Sequence, residues 1–120
     1  MKVLVGVDGG ADAVEALEWA LERAASAGDS VTVAVLGSDG AEYATERTVR
    51  ETLADAAVEA EVRHLDAEGA GGKLVDVAES EGFDEVVLGG GERSPMGKIR
   101  LDDVREFVVL NADVTVTLVR

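Results

Sequence analysis

Short apolar, β-branched runs alternate with helical patterns along the whole chain, and this alternation restricts the available folds sharply. Lys2 to Val7 reads as a strand buried on both faces, broken by Asp8-Gly9-Gly10. The spacing predicts a helix from Ala11 to Ala27. Its apolar stripe is Val14, Leu17, Leu21 and Ala24; Asp12, Glu15 and Glu22 turn away. Gly28-Asp29 closes it. A second strand, Val31 to Leu36, ends at Gly37. A second helix, Ala41 to Val58, uses Val49, Leu53 and Ala56. A short strand runs from Ala60 to Leu65, and Gly69 to Gly72 reads as a flexible turn. A third helix spans Lys73 to Glu81. The fourth strand, Asp84 to Leu88, stops at Gly89-Gly90-Gly91. A helix from Val104 to Asn111 and a strand from Val114 to Val119 complete the chain. Strands joined by helices imply α/β architecture: a parallel sheet with right-handed crossovers and helices on both faces. No linker, repeat or low-complexity tract interrupts the pattern, so residues 1–120 are expected to form a single domain. In open sheets of this kind, ligands sit beyond the carboxyl ends of the strands.

Composition narrows the function. Apolar residues make up 47% of the chain but aromatics only 3%, so the core is expected to be aliphatic. No apolar run approaches the ~20 residues of a membrane span, and the acidic end of the first strand argues against a signal peptide. The expected location is cytoplasmic. Without Cys there is no thiolate nucleophile or thiolate metal site, and the single His64 argues against a catalytic triad or a His-based metal site. No catalytic residue, metal ligand or enzymatic activity is therefore expected. The 25 acids against 11 bases give a net charge of −14. That charge argues against nucleic-acid binding, which needs basic surface, and against anionic membranes. A surface so acidic and poor in Lys suits concentrated salt, where repulsion is screened within ~3 Å at 1 M. A halophilic cytoplasm is the expectation.

The stretch from Gly89 to Lys98 concentrates the candidate chemistry. Glycines at a strand end let backbone N–H groups approach phosphate. It is not a P-loop: five residues separate Gly91 from Gly97, and Ile99 follows Lys98. Nor is it a dinucleotide fingerprint, because Ser94 stands where the third glycine belongs. Arg93, Lys98 and Arg100 gather positive charge here, either as an anion site or as partners of nearby acids. Asp103 with Glu106 three residues on fits a capping box, which predicts Asp103 as the N-cap of the last helix.

Taken in order, Val5-Gly6-Val7-Asp8-Gly9, the Ala-rich first helix, Asp84 to Gly89 and Asn111 to Val119 resemble the universal stress proteins over essentially the whole chain. The segment Arg93 to Lys98 resembles versions from salt-loving archaea. The resemblance implies a doubly wound, five-stranded parallel sheet in the order 3-2-1-4-5, usually dimeric. It also implies ATP binding in many members, through Gly-x2-Gly-x9-Gly-Ser/Thr. Here Gly89 matches the first position, but Glu92, Asp102 and Asp103 replace the others. A carboxylate about 4 Å from one phosphate charge costs roughly 4 kcal/mol at an effective dielectric near 20, or ~10³ in affinity. Tight ATP binding is expected to be lost, although Mg²⁺ would offset part of the repulsion. The ligand set implied by the resemblance is Asp8, Leu36, Gly89, Gly90, Gly91, Arg93, Ser94 and Lys98. Asp8 and Leu36 fall where the family holds the adenosine end. A purely structural role is open to both: Asp8 starting its turn, Leu36 in the core.

The terminal strand, with Val114, Val116 and Leu118, is strongly β-prone and is expected to mediate a homodimer, as in family dimers. His64 reads as a surface histidine, and Trp19 as a ring lying along its own helix. Two functions follow. One is an adaptor acting through an unidentified protein partner without competent ATP binding. The other is a sensor of a nucleotide or other anion.

Overall fold

Strand β1 (Lys2–Val7) lies at the centre, because every residue from Val3 to Val7 is buried. The computed structural model describes residues 1–37, 40–90 and 102–119. Four further strands follow: β2 (Ser30–Leu36), β3 (Ala60–Leu65), β4 (Glu85–Gly89) and β5 (Thr115–Val119). Four helices alternate with them: α1 (Ala11–Ala27), α2 (Ala41–Ala54), α3 (Ala70–Ser80) and α4 (Asp103–Asn111). All pairings are parallel, and the order is β3-β2-β1-β4-β5. This is the doubly wound sheet expected from the sequence.

Side-chain alternation divides the core into two layers. Val3, Val5 and Val7 of β1 face α1 and the Val49 side of α2, with Val31, Val33, Val35 and Val87. Leu4 faces the opposite way, toward α3 and α4, with Ala34, Leu36, Val86, Leu88, Leu74, Ala78 and Val108. The core is aliphatic, with Phe83 its only fully buried aromatic among the described residues.

Several boundaries differ from those expected. The buried face of α1 is Ala13, Ala16, Leu17, Ala20, Leu21 and Ala24. Val14 is only half-buried, because the helix turns its alanines onto the sheet. Helix α2 ends at Ala54, so Ala56 lies beyond it. The turn expected at Gly69 to Gly72 shrinks to Gly69, whose φ of 68° makes it the N-cap of α3. Gly71 lies within the helix, and α4 crosses so close that a Cβ there would stand 2.9 Å from Phe107 Cβ and 3.2 Å from the Val104 carbonyl oxygen. Helix propensity loses about 1 kcal/mol at such a glycine, and the close α3–α4 approach requires it.

The strand order reverses between β1 and β4, whose carboxyl ends lie on the same edge of the sheet. A crevice at this reversal is where such sheets place ligands.

Candidate functional site

Asp8 leaves β1 and immediately folds back on the chain. Its Oδ1 accepts the Gly10 N–H at 2.9 Å, the local bond of an Asx turn. This turn places Asp12 in the first turn of α1, beside the end of β4. The contact is tight, because a Cβ on Gly89 would stand 2.6 Å from Asp12 Oδ2 and 2.8 Å from the Asp12 carbonyl carbon. Only glycine fits at that strand end.

Arg105 of α4 is the centre of the site. It is one of the few charged residues buried among the described residues, at 7% exposure. Its Nε donates to the Gly89 carbonyl at 2.5 Å. Nη1 meets Asp102 Oδ2 at 2.5 Å and lies 3.6 Å from Asp8 Oδ2. Nη2 donates to Asp12 Oδ2 at 3.1 Å. One guanidinium thus joins the ends of β1 and β4 to the starts of α1 and α4. Among the described residues, three carboxylates surround this one cation, a net negative group.

Asp102 also caps α4. Its backbone is extended, with φ −77° and ψ 177°, and its Oδ1 accepts the Arg105 N–H at 2.9 Å. The expected N-cap, Asp103, is instead the exposed first helical residue. The reason is reciprocal. Arg105 is the third residue after Asp102, and its side chain reaches back to the carboxylate that caps its own N–H. Unlike a capping box, in which the N3 side chain accepts the cap's own N–H, the guanidinium only donates, and it does so to the capping carboxylate. Glu106 falls one position too late to take part.

Of the expected ligand residues, Asp8, Leu36, Gly89 and Gly90 lie among the described residues. Gly91, Glu92, Arg93, Ser94, Lys98 and Arg100 lie outside them. Leu36 is a core residue, 8% exposed. The Gly90 N–H is committed to the Val119 carbonyl at 2.7 Å, which extends the β4–β5 ladder by one bond. Beside Asp8 lies a cavity of about 140 Å³, lined by Val7, Gly9, Gly10, Val14, Ala44, Thr45 and Thr48. Ligand pockets usually measure ~300–1,000 Å³. Among the described residues, no group of three or more His, Asp or Glu is arranged to hold a metal ion.

Sequence reasoning missed Arg105 and turned Asp12 toward solvent. A signal for Arg105 was present: it shares a helical face with Val108 at i+3, an inward position for a charged residue. Asp12 carried no such signal, because its partner lies 93 residues away.

His64 is exposed on β3, with Nε2 2.6 Å from Glu46 Oε1. That contact, with Arg50 at 3.2 Å, holds the Glu46 carboxyl below its ordinary value. The Trp19 ring lies under the Arg23 guanidinium at 4.7 Å, along its own helix as expected.

A doubly wound parallel sheet whose order reverses between β1 and β4 defines the open α/β class. The chain belongs to the universal stress protein family, whose model matches residues 1–120. Comparison with curated proteins gives no match. The fold is similar to a universal stress protein from Archaeoglobus fulgidus, with TM-score 0.83, 24% identity, and coverage of 100% of this chain and 98% of that one. It is also similar to a universal stress protein in complex with cAMP, with TM-score 0.78, 23% identity, and coverage of 100% and 96%. A third similar structure is a universal stress protein from Archaeoglobus fulgidus in complex with dAMP, with TM-score 0.76, 21% identity, and coverage of 100% of this chain and 98% of that one. No helix formed by the described residues is long and apolar enough to cross a membrane.

Proposed function

We propose that this protein is a non-enzymatic, homodimeric stress-response module in which tight ATP binding has been lost. One observation carries the reading: the Asp102 carboxylate already occupies the start of α4 and binds Arg105. A helix N-terminus attracts an external anion through its free N–H groups and its positive end. Here an internal anion has taken one of those N–H groups and neutralised the nearest cation. A triphosphate would have to displace Asp102 and face Asp8 and Asp12 as well. Homodimerisation through Val114, just before β5, and Val116 and Leu118 within it is supported by the position of β5, which among the described residues pairs with β4 alone. A net charge of −14 supports a cytoplasm rich in salt.

The decisive experiment is calorimetry with ATP in high salt. Wild type is expected to show no micromolar binding, and the double variant Asp102→Gly, Asp103→Ser to gain about 10³ in affinity. A micromolar Kd for wild type overturns the reading. The salt assignment is read separately from melting temperature, which is expected to fall as salt is diluted from multimolar to millimolar. A constant melting temperature refutes it.

A second reading, a sensor of a less charged nucleotide, is favoured by the two relatives bound to cAMP and dAMP. A nucleotide with a single phosphate meets less repulsion from Asp8, Asp12 and Asp102 than ATP does. Mass spectrometry of small molecules released from purified protein separates the two, because a retained nucleotide supports the sensor.

A further inference from the structure

The sheet has two outer strands, β3 and β5, and their edges differ in chemistry. Strand β5 carries no charged residue between Thr115 and Val119. The helix that leads into it, α4, carries exposed Phe107, Val109 and Leu110. Strand β3 instead holds Glu61, Arg63 and His64. The Gly37 N–H donates to the Leu65 carbonyl at 3.3 Å, so Leu65, Arg63 and Glu61 turn their backbone N–H and C=O groups toward β2. By alternation, the backbone groups of Val62 and His64 point outward, and among the described residues no strand pairs with them.

Charge flanks those open groups on both faces of the sheet. On the α3 face, Arg63 forms a bidentate fork on Glu81, the C-cap of α3, at 2.5 and 2.6 Å. Its Nε donates to Glu61 at 2.8 Å. On the α2 face, His64 Nε2 lies 2.6 Å from Glu46 Oε1, which Arg50 also contacts. Exposed ion pairs contribute little to folding stability, because water screens them. An added strand would lie roughly 4.8 Å from β3 and displace that water. Desolvating ionised groups is costly even when they are paired. Side chains that do little for stability therefore oppose strand addition at this edge.

We propose that the Arg63 strap, with Glu61 and Glu81, closes the β3 edge to other copies of this chain, so that assembly proceeds through β5 alone and stops there. Two copies joined at β5 leave a β3 at each end of one sheet. Were both edges open, each added copy would present another, and a filament would grow. With β3 guarded, the assembly is finite. Only the size of the wild-type particle rests on the homodimer reading; the closure of β3 is read separately, from what its removal adds.

The test is the double variant Glu61→Thr, Arg63→Thr, compared with wild type by size exclusion and light scattering in multimolar salt. One acid and one base leave together, so the net charge stays at −14 and overall repulsion is unchanged. Thr keeps strand propensity without charge, and circular dichroism checks the fold. If the Thr variant does not fold, Glu61→Gln with Arg63→Gln takes its place. The particle mass is expected to at least double, from dimer to tetramer or longer. A monomeric wild type whose variant is dimeric would refute the homodimer reading and support the closure of β3. Hydrogen exchange is expected to slow at the Val62 and His64 amides of the associated variant. Arg63→Lys, which keeps a cation at the edge, is expected to leave the mass unchanged. Three results overturn the proposal: an unchanged mass in the double variant, growth without protection at Val62 and His64, or equal growth in Arg63→Lys.

Discussion

At the start of β4, the buried Glu85 carboxylate receives both Nη atoms of Arg23, at 2.5 and 3.1 Å, and the Thr117 hydroxyl at 2.5 Å. At the end of the same strand, Arg105 is the buried partner, and its carboxylates are the exposed ones. Asp8, Asp12 and Asp102 have side-chain exposures of 39%, 30% and 52%, whereas Glu85 has 4%. The first arrangement is a fixed, bidentate clamp in the interior. The second is one cation shared among three more exposed acids at the carboxyl edge of the sheet. The comparison shows where the molecule uses charge for architecture and where it leaves charge open to exchange.

The largest effect on folding is therefore expected at the clamp. Glu85→Ala leaves Arg23 without its main partner and Thr117 without its acceptor. It is expected to cost about 3 kcal/mol, read as a lower urea midpoint at constant slope. Acid probes the same group. Burial pushes the Glu85 carboxyl up, but hydrogen bonds from Arg23 and Thr117 outweigh this and hold it below its ordinary 4.5. A depressed carboxyl stabilises the fold at neutral pH, and that contribution is lost as pH falls below 4.5 through the folded value. Glu85→Gln is expected to flatten this acid limb of the stability curve. An unchanged limb would remove the clamp from the comparison.

A smaller effect is expected at the open end. Asp102→Ala removes the α4 cap and one of the three acids around Arg105. The lost cap is expected to cost about 1 kcal/mol, while two carboxylates and the Gly89 carbonyl still hold the guanidinium. A loss as large as that of Glu85→Ala would show that both ends are architectural. It would also weaken the view that Asp102 stands in for an external anion.

Much of this molecule could be read from the sequence, for reasons that differ by element. The strands were legible because Val and Ile-like positions run unbroken to a glycine, as at Val86 to Gly89. The doubly wound order followed once the resemblance was recognised. Helix α3 was misplaced because Gly71 and Gly72 look like a turn locally. Only the tertiary approach of Phe107 explains why glycine stands at these helical positions. The cap of α4 was off by one because two adjacent aspartates offer the same chemistry, and the choice rests on where Arg105 reaches. The site itself was half legible. Asp8 and Gly89 were identified as strand-end residues, but Asp12 and Arg105 are joined only through the fold.

Strand β4 has Val86, Val87 and Leu88 between its ends, apolar on both faces of the sheet. Alternation normally fixes register, because a one-residue slip moves polar side chains inward. In β4 that penalty is weak, since a slip replaces one aliphatic side chain with another. The two arginines supply what the pattern lacks. A slip in either direction takes Glu85 out of reach of Arg23 and the Gly89 carbonyl away from Arg105 at the same time. The two charged contacts thus act as a vernier for β4, setting which residue of the strand faces which neighbour in a core whose aliphatic side chains are nearly interchangeable.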